Sequence, residues 1–113
     1  METASKPSGR GVNPAVVRRM VDNLVCATTG KPNPAAGWDS LVKPTDRVGI
    51  KVAASGGAVS GTHPAVVEAI AIGLASAGVL PSNIIFWDLN SEDLLAAGFN
   101  PKSSLYRLRW NDP

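Results

Sequence analysis

Two short β-branched runs with a helix between them limit the fold of this chain more than any other feature. "RVGIKV" (47–52) and "IIFWDL" (84–89) have the length and composition of strands buried on both faces. Between them, Pro64 opens a helix that runs to about Ala77, with Gly78 as its cap. Strand, helix, strand within some forty residues is a βαβ unit, so the two strands are expected to be parallel and joined by a right-handed crossover. The fold class that follows is α/β, a Rossmann-like unit with an incomplete sheet.

The rest of the chain adds helices. Asn13-Pro14 pairs an N-cap residue with proline at the first helical position and predicts a helix over 14–28. Val16, Val17, Met20, Val21 and Leu24 give it one apolar stripe, and Gly30 is placed to end it in a left-handed turn. Asn33-Pro34 repeats the start signal for a short helix bearing Trp38, Leu41 and Val42, which Lys43-Pro44 stops. "SEDLLAAGF" reads as a last helix with Ser91 as its N-cap. Residues 1–12 are polar and read as a disordered N-terminus, residues 13–100 as a partial α/β domain, and residues 101–113 as a tail without a periodic element.

The crossover helix carries one charge, Glu68. Val66, Ile70 and Leu74 form its main stripe and Ile72 lies nearly opposite, a pattern of a helix buried most of the way round. Two strands and a few helices are too little to bury it, so the sequence predicts a homo-oligomer or a missing C-terminal part that covers 64–77. Composition agrees. Charged residues are 18% of the 113-residue chain against 44% hydrophobic, whereas about a quarter charged is usual.

Composition also narrows the function classes. The net charge is +2, and Arg18/Arg19 and Arg107/Arg109 are pairs rather than a basic stripe, so no nucleic-acid partner is expected. The single cysteine, Cys26, is too little for an iron–sulfur cluster or a cysteine-based zinc site, and no base near it in sequence would activate the thiol. No apolar run reaches the roughly 18–20 residues of a membrane span, and "METASKPSGRG" lacks the apolar segment of a secretory signal. With Met1 as the start, the expected location is the cytoplasm.

The loop "AASGGAVSGTH" (53–63) carries the candidate chemistry. It is not a nucleotide-triphosphate loop, because Thr62 and His63 stand where G-x-x-x-x-G-K-[ST] needs its lysine and hydroxyl. Nor do Gly56, Gly57 and Gly61 reproduce the dinucleotide spacing G-x-G-x-x-G, since the link is too long for that tight turn. What remains is placement. Ligands of parallel sheets bind beyond the carboxyl ends of the strands, and both loop 53–63 and the segment 88–91 leave the sheet there. Lys51, Ser55, Gly56, Gly57, Gly61, Thr62, His63, Asp88 and Asn90 can thus converge on one rim, beside a helix N-terminus that favours an anion. A small anionic ligand is the implied partner, its substrate class, reaction and cofactor unspecified. Each residue also has a structural role open to it: Lys51 can snorkel from the sheet, Thr62 and His63 can cap the crossover helix, and Asp88 can cap the next.

The ordered set "NPAVVRRMVDNLVCATTGK", "W-x-S-L-V-x-P-x-D-x-V-G-I-K-V", "SGG-x-V-S-G-T-H-P-A-V-V-E-A-I", "GLASAGV" and "NIIFWDLNSEDLLAAGF" resembles domain-of-unknown-function family 362 from about Val12 to Phe99. The resemblance implies a bacterial or archaeal α/β protein about three times as long, of which this chain is an N-terminal fragment with a non-homologous tail from about Lys102. It implies no established reaction. Relatives with a twin-arginine signal imply an export route if a signal lies upstream, and relatives with ferredoxin-type clusters imply a redox-associated role. The cluster cysteines are absent here, and Ala53 stands where the resembling members read asparagine after I-K-V. A truncated, non-catalytic assembly module is the alternative function.

Overall fold

The computed structural model describes residues 13–54 and 62–110. Helix α1 (Pro14–Thr29) starts where Asn13 accepts from the amides of Ala15 and Val16 through Oδ1, and ends at Gly30 with φ 73°. Helix α2 (Pro34–Leu41) is capped the same way by Asn33, which accepts from the Ala36 amide. Strand β1 (Val48–Lys51) leads through the glycine-rich loop to α3 (Pro64–Ser76). A 3-10 turn, Pro81–Asn83, precedes β2 (Ile84–Asp88), followed by α4 (Ser91–Ala96) and β3 (Arg107–Trp110).

The three strands form one parallel sheet in the order β1-β2-β3. Val48 pairs with Ile84 and Ile50 with Phe86, and Phe86 in turn pairs with Leu108. The βαβ unit predicted from the sequence is therefore present, in an incomplete, open sheet. The third strand is a finding. "RLRW" lies in the segment read as a tail, and its brief alternation is too short to distinguish a strand from loop by pattern alone.

The core lies on one face of the sheet. Ile84, Phe86 and Leu108 pack under Val67, Ala71 and Leu74 of α3 and Leu94 of α4. Tyr106 meets Phe86 edge-on, with ring centroids 5.2 Å apart and planes at 82°. The expectation of strands covered on both faces fails. Every step from strand to strand runs in the same direction across the sheet, so two crossovers of one hand put both helices on one side.

The helix expected to want an outside cover is mostly covered from within. α1 and α2 pack on α3, where Val67, Ala69, Ala71, Gly73 and Leu74 are buried, while Val66, Ile70 and Ile72 are half-buried. Small residues make this close layer feasible: a Cβ on Gly73 would collide with the Trp38 indole ring. The close fit leaves the buried Trp38 Nε1 without a hydrogen-bond partner, a local cost of about 1–3 kcal/mol. The burial stripe of α1 is also rotated from the one predicted. Val17, Val21 and Val25 face inward at i, i+4 and i+8, leaving Met20 and Leu24 exposed, Leu24 at 65%.

Gly78 takes φ 93° just beyond α3, as its place in the sequence predicts, and the Val79 amide closes back onto the Leu74 carbonyl. Among the described residues no helix is long and apolar enough to cross a membrane.

Candidate functional site

The rim formed by the carboxyl ends of β1 and β2 is organised around Asp88. This residue ends β2 with its side chain on the core-facing side of the sheet, and the residue is only 7% exposed. Its Oδ2 accepts from the Ala54 amide at 2.9 Å and its Oδ1 from the Leu89 amide at 2.7 Å. The Lys51 ammonium lies 3.1 Å from the same Oδ1. Burial pushes this carboxyl up, but the two amides and the ammonium outweigh it and hold it below its ordinary value. Asp88 is thus an ionised clasp that ties the exit of β1 to the exit of β2.

Lys51 sits on the opposite face of the sheet and reaches over the strand end. Its Nζ also donates to the Val52 carbonyl at 3.0 Å and lies 5.7 Å from the centroid of the Trp87 ring, its neighbour in register. The lysine side chain is 49% exposed, so the ion pair is worth at most about 1 kcal/mol after solvent screening. Its ammonium is the part of the rim that solvent reaches.

The remaining predicted residues divide. Thr62 does not cap α3. Its amide donates to the Ala53 carbonyl at 2.7 Å and its Oγ1 accepts from the Ala53 amide at 3.0 Å, which draws the two flanks of the glycine-rich loop together. His63 does cap α3, accepting from the Ala65 amide through Nδ1 at 3.0 Å. An accepting Nδ1 puts the proton of the neutral ring on Nε2, which is left to donate outward. Asn90, rather than Ser91, caps α4 by accepting from the Asp93 amide at 3.2 Å, so the N-cap lies one residue before the position read from the sequence. Asp88 does not cap α4. Ser55, Gly56, Gly57 and Gly61 lie outside the described residues.

The geometry changes the anion argument. Pro64 has no N–H, the Ala65 amide is held by the imidazole, and the Val66 and Val67 amides both point to the His63 carbonyl. The first turn of α3 therefore offers a dipole but no open donor. Among the described residues, the side-chain donors at this rim are the Lys51 ammonium, the His63 Nε2–H and the Asn90 amide nitrogen. Among the described residues no group of three or more His, Cys, Asp or Glu is arranged to hold a metal ion, and Cys26 is half-buried on α1.

Trp87 and the Ala53–Thr62 clasp are the parts of the rim that sequence reasoning missed. The first depends on cross-strand register, which one strand's own residues do not encode, and the second on a contact across nine positions of one loop. A groove of about 500 Å³ lies elsewhere, between α1 and α3, lined by residues that include Arg18, Asp22 and Glu68. No family model, no curated protein and no solved structure matches the chain.

Proposed function

We propose that the chain binds a small anionic ligand at the rim where β1 and β2 end. The observation that carries this reading is the meeting of Lys51 and Asp88 at the carboxyl ends of two parallel strands, the place where α/β sheets hold ligands. In this reading Lys51 turns from Asp88 toward the ligand's anionic group, and His63 donates through Nε2. Asp88 keeps the two exits together and orients Lys51, while the glycines at 56, 57 and 61 let the loop backbone approach closely. The resemblance to family 362 implies no reaction, so the reading rests on the rim itself and names binding, not turnover.

A thermal-shift titration with phosphate, pyrophosphate and succinate tests it. The expected result is a rise in the unfolding midpoint for at least one anion that disappears when Lys51 and His63 are both replaced by alanine. The same rise in the double variant, or none for any of the three anions in the parent chain, overturns it.

A second reading has its own support. The first-turn amides of α3 are already engaged and the Lys51 ammonium already has a carboxylate, as in a rim that serves only to hold the fold. Under that reading the chain is a non-catalytic assembly module, and no anion stabilises it.

A further inference from the structure

The face of the sheet turned away from α3 and α4 has a definite chemical pattern. Side chains alternate along strands, so Gly49 and Lys51, Ile85 and Trp87, and Arg107 and Arg109 share it. They stand in two rows across the strands, Gly49–Ile85–Arg107 and Lys51–Trp87–Arg109. Leu89 follows in a bend just past β2, so the central column of the face is Ile85 and Trp87. The face is therefore an apolar patch on β2 flanked on the β3 side by two arginines, while the Lys51 ammonium on the β1 side is already paired with Asp88 at the strand end. It holds no acidic residue from the three strands, because their one carboxylate, Asp88, is buried and lies on the other side.

We propose that this face docks an amphipathic helix of a partner polypeptide whose apolar stripe is flanked by Asp or Glu. Parallel sheets are covered on both faces, and helices are what cover them. β2 has five residues and is about 13 Å long from first to last Cα, which a helix of some nine residues spans. Tryptophan and arginine are the residue types that dominate such contacts once water is excluded. The charge decides which helix. Arg107 and Arg109 on the β3 flank meet carboxylates favourably, whereas Lys51 on the other flank already has Asp88 as its counter-ion.

Two other occupants fit less well. A second copy placed face to face would set the β3 arginines against themselves or against the β1 edge with Lys51, neither of which offers them a carboxylate on that face. A single-stranded nucleic acid needs successive aromatic platforms for its bases, and Trp87 is the one aromatic that the described strands place on this face, beside Ile85.

The test uses the full chain and two synthetic helical peptides with the same leucine stripe, one flanked by glutamate and one by lysine, with a twelve-nucleotide oligouridine as the competing class. Amide chemical shifts are followed during titration, and affinity is measured at low salt. The glutamate peptide is expected to perturb β2 and β3. Its binding should weaken about tenfold or more in Trp87→Ser and in the double variant Arg107→Glu, Arg109→Glu. These positions are exposed, so the unfolding midpoint should stay near that of the parent. The His63→Ala chain, altered at the rim but not on this face, should still bind the peptide, which separates this surface from the rim site. Equal binding of both peptides, shifts confined to α1, or tighter binding of the oligouridine overturns the proposal.

Discussion

The two faces of the sheet are built from the same three strands yet carry opposite chemistry. Ile84, Phe86 and Leu108 on one side are buried under helices, while Ile85, Trp87, Arg107 and Arg109 on the other are not covered by any described element. The difference arises from connectivity rather than from strand composition. Because both crossovers fall on one side, each strand is forced to alternate between core and surface although it lies in a parallel sheet. "IIFWD" shows the result: its apolar run is continuous, but only every second side chain enters the core.

Substitutions on the two faces should therefore differ sharply. Phe86→Ala removes the largest fully buried side chain and its edge contact with Tyr106, and should cost about 3–5 kcal/mol in denaturant unfolding. A loss near zero would mean that the covered face is not the core. Gly73→Ala acts one layer above. In an open helix that change gains about 1 kcal/mol. Here the new methyl meets Trp38, and a net destabilisation of about 1–3 kcal/mol is expected from calorimetry.

Asp88→Asn probes the boundary between the faces and should cost about 1–3 kcal/mol near neutral pH, since one amide or the ammonium loses its acceptor. The sign of its pH dependence is fixed. The folded carboxyl titrates below its unfolded value, so its stabilisation is fully present above that value and is lost as pH falls below about 4. A melting series from pH 6 to pH 2 should show an acid loss in the parent that is smaller in the variant. Trp87→Ser, on the uncovered face, should change stability by no more than about 0.5 kcal/mol. A larger loss would show that something already packs there.

Much of this arrangement is legible in the sequence because it rests on local chemistry. Asn13-Pro14, Asn33-Pro34 and the glycines at 30 and 78 act within one turn of where they stand, and the helices begin and end there. The parallel pairing of 48–51 with 84–88 follows from crossover length. Nonlocal features were hidden. β3 needs its neighbour to exist as a strand, the rotated stripe of α1 depends on where α3 lies, and the contact of Asp88 with the Ala54 amide joins residues thirty-four positions apart. At the candidate rim, the sequence places Lys51 and Asp88 together and offers His63 as a cap, but leaves open whether the imidazole or an anion takes the first helix amide.

The packing of Trp38 against Gly73 has an optical consequence. Of the three indoles, Trp38 is 7% exposed within the helical layer, whereas Trp87 and Trp110 are 39% and 45% exposed on the sheet. A dry indole emits at shorter wavelength than a wet one, so the intrinsic fluorescence should resolve into a blue component from the helices and a red one from the strands. Loosening of the helical layer would shift the blue component, and occupation of the bare strand face would shift the red one, without any attached dye.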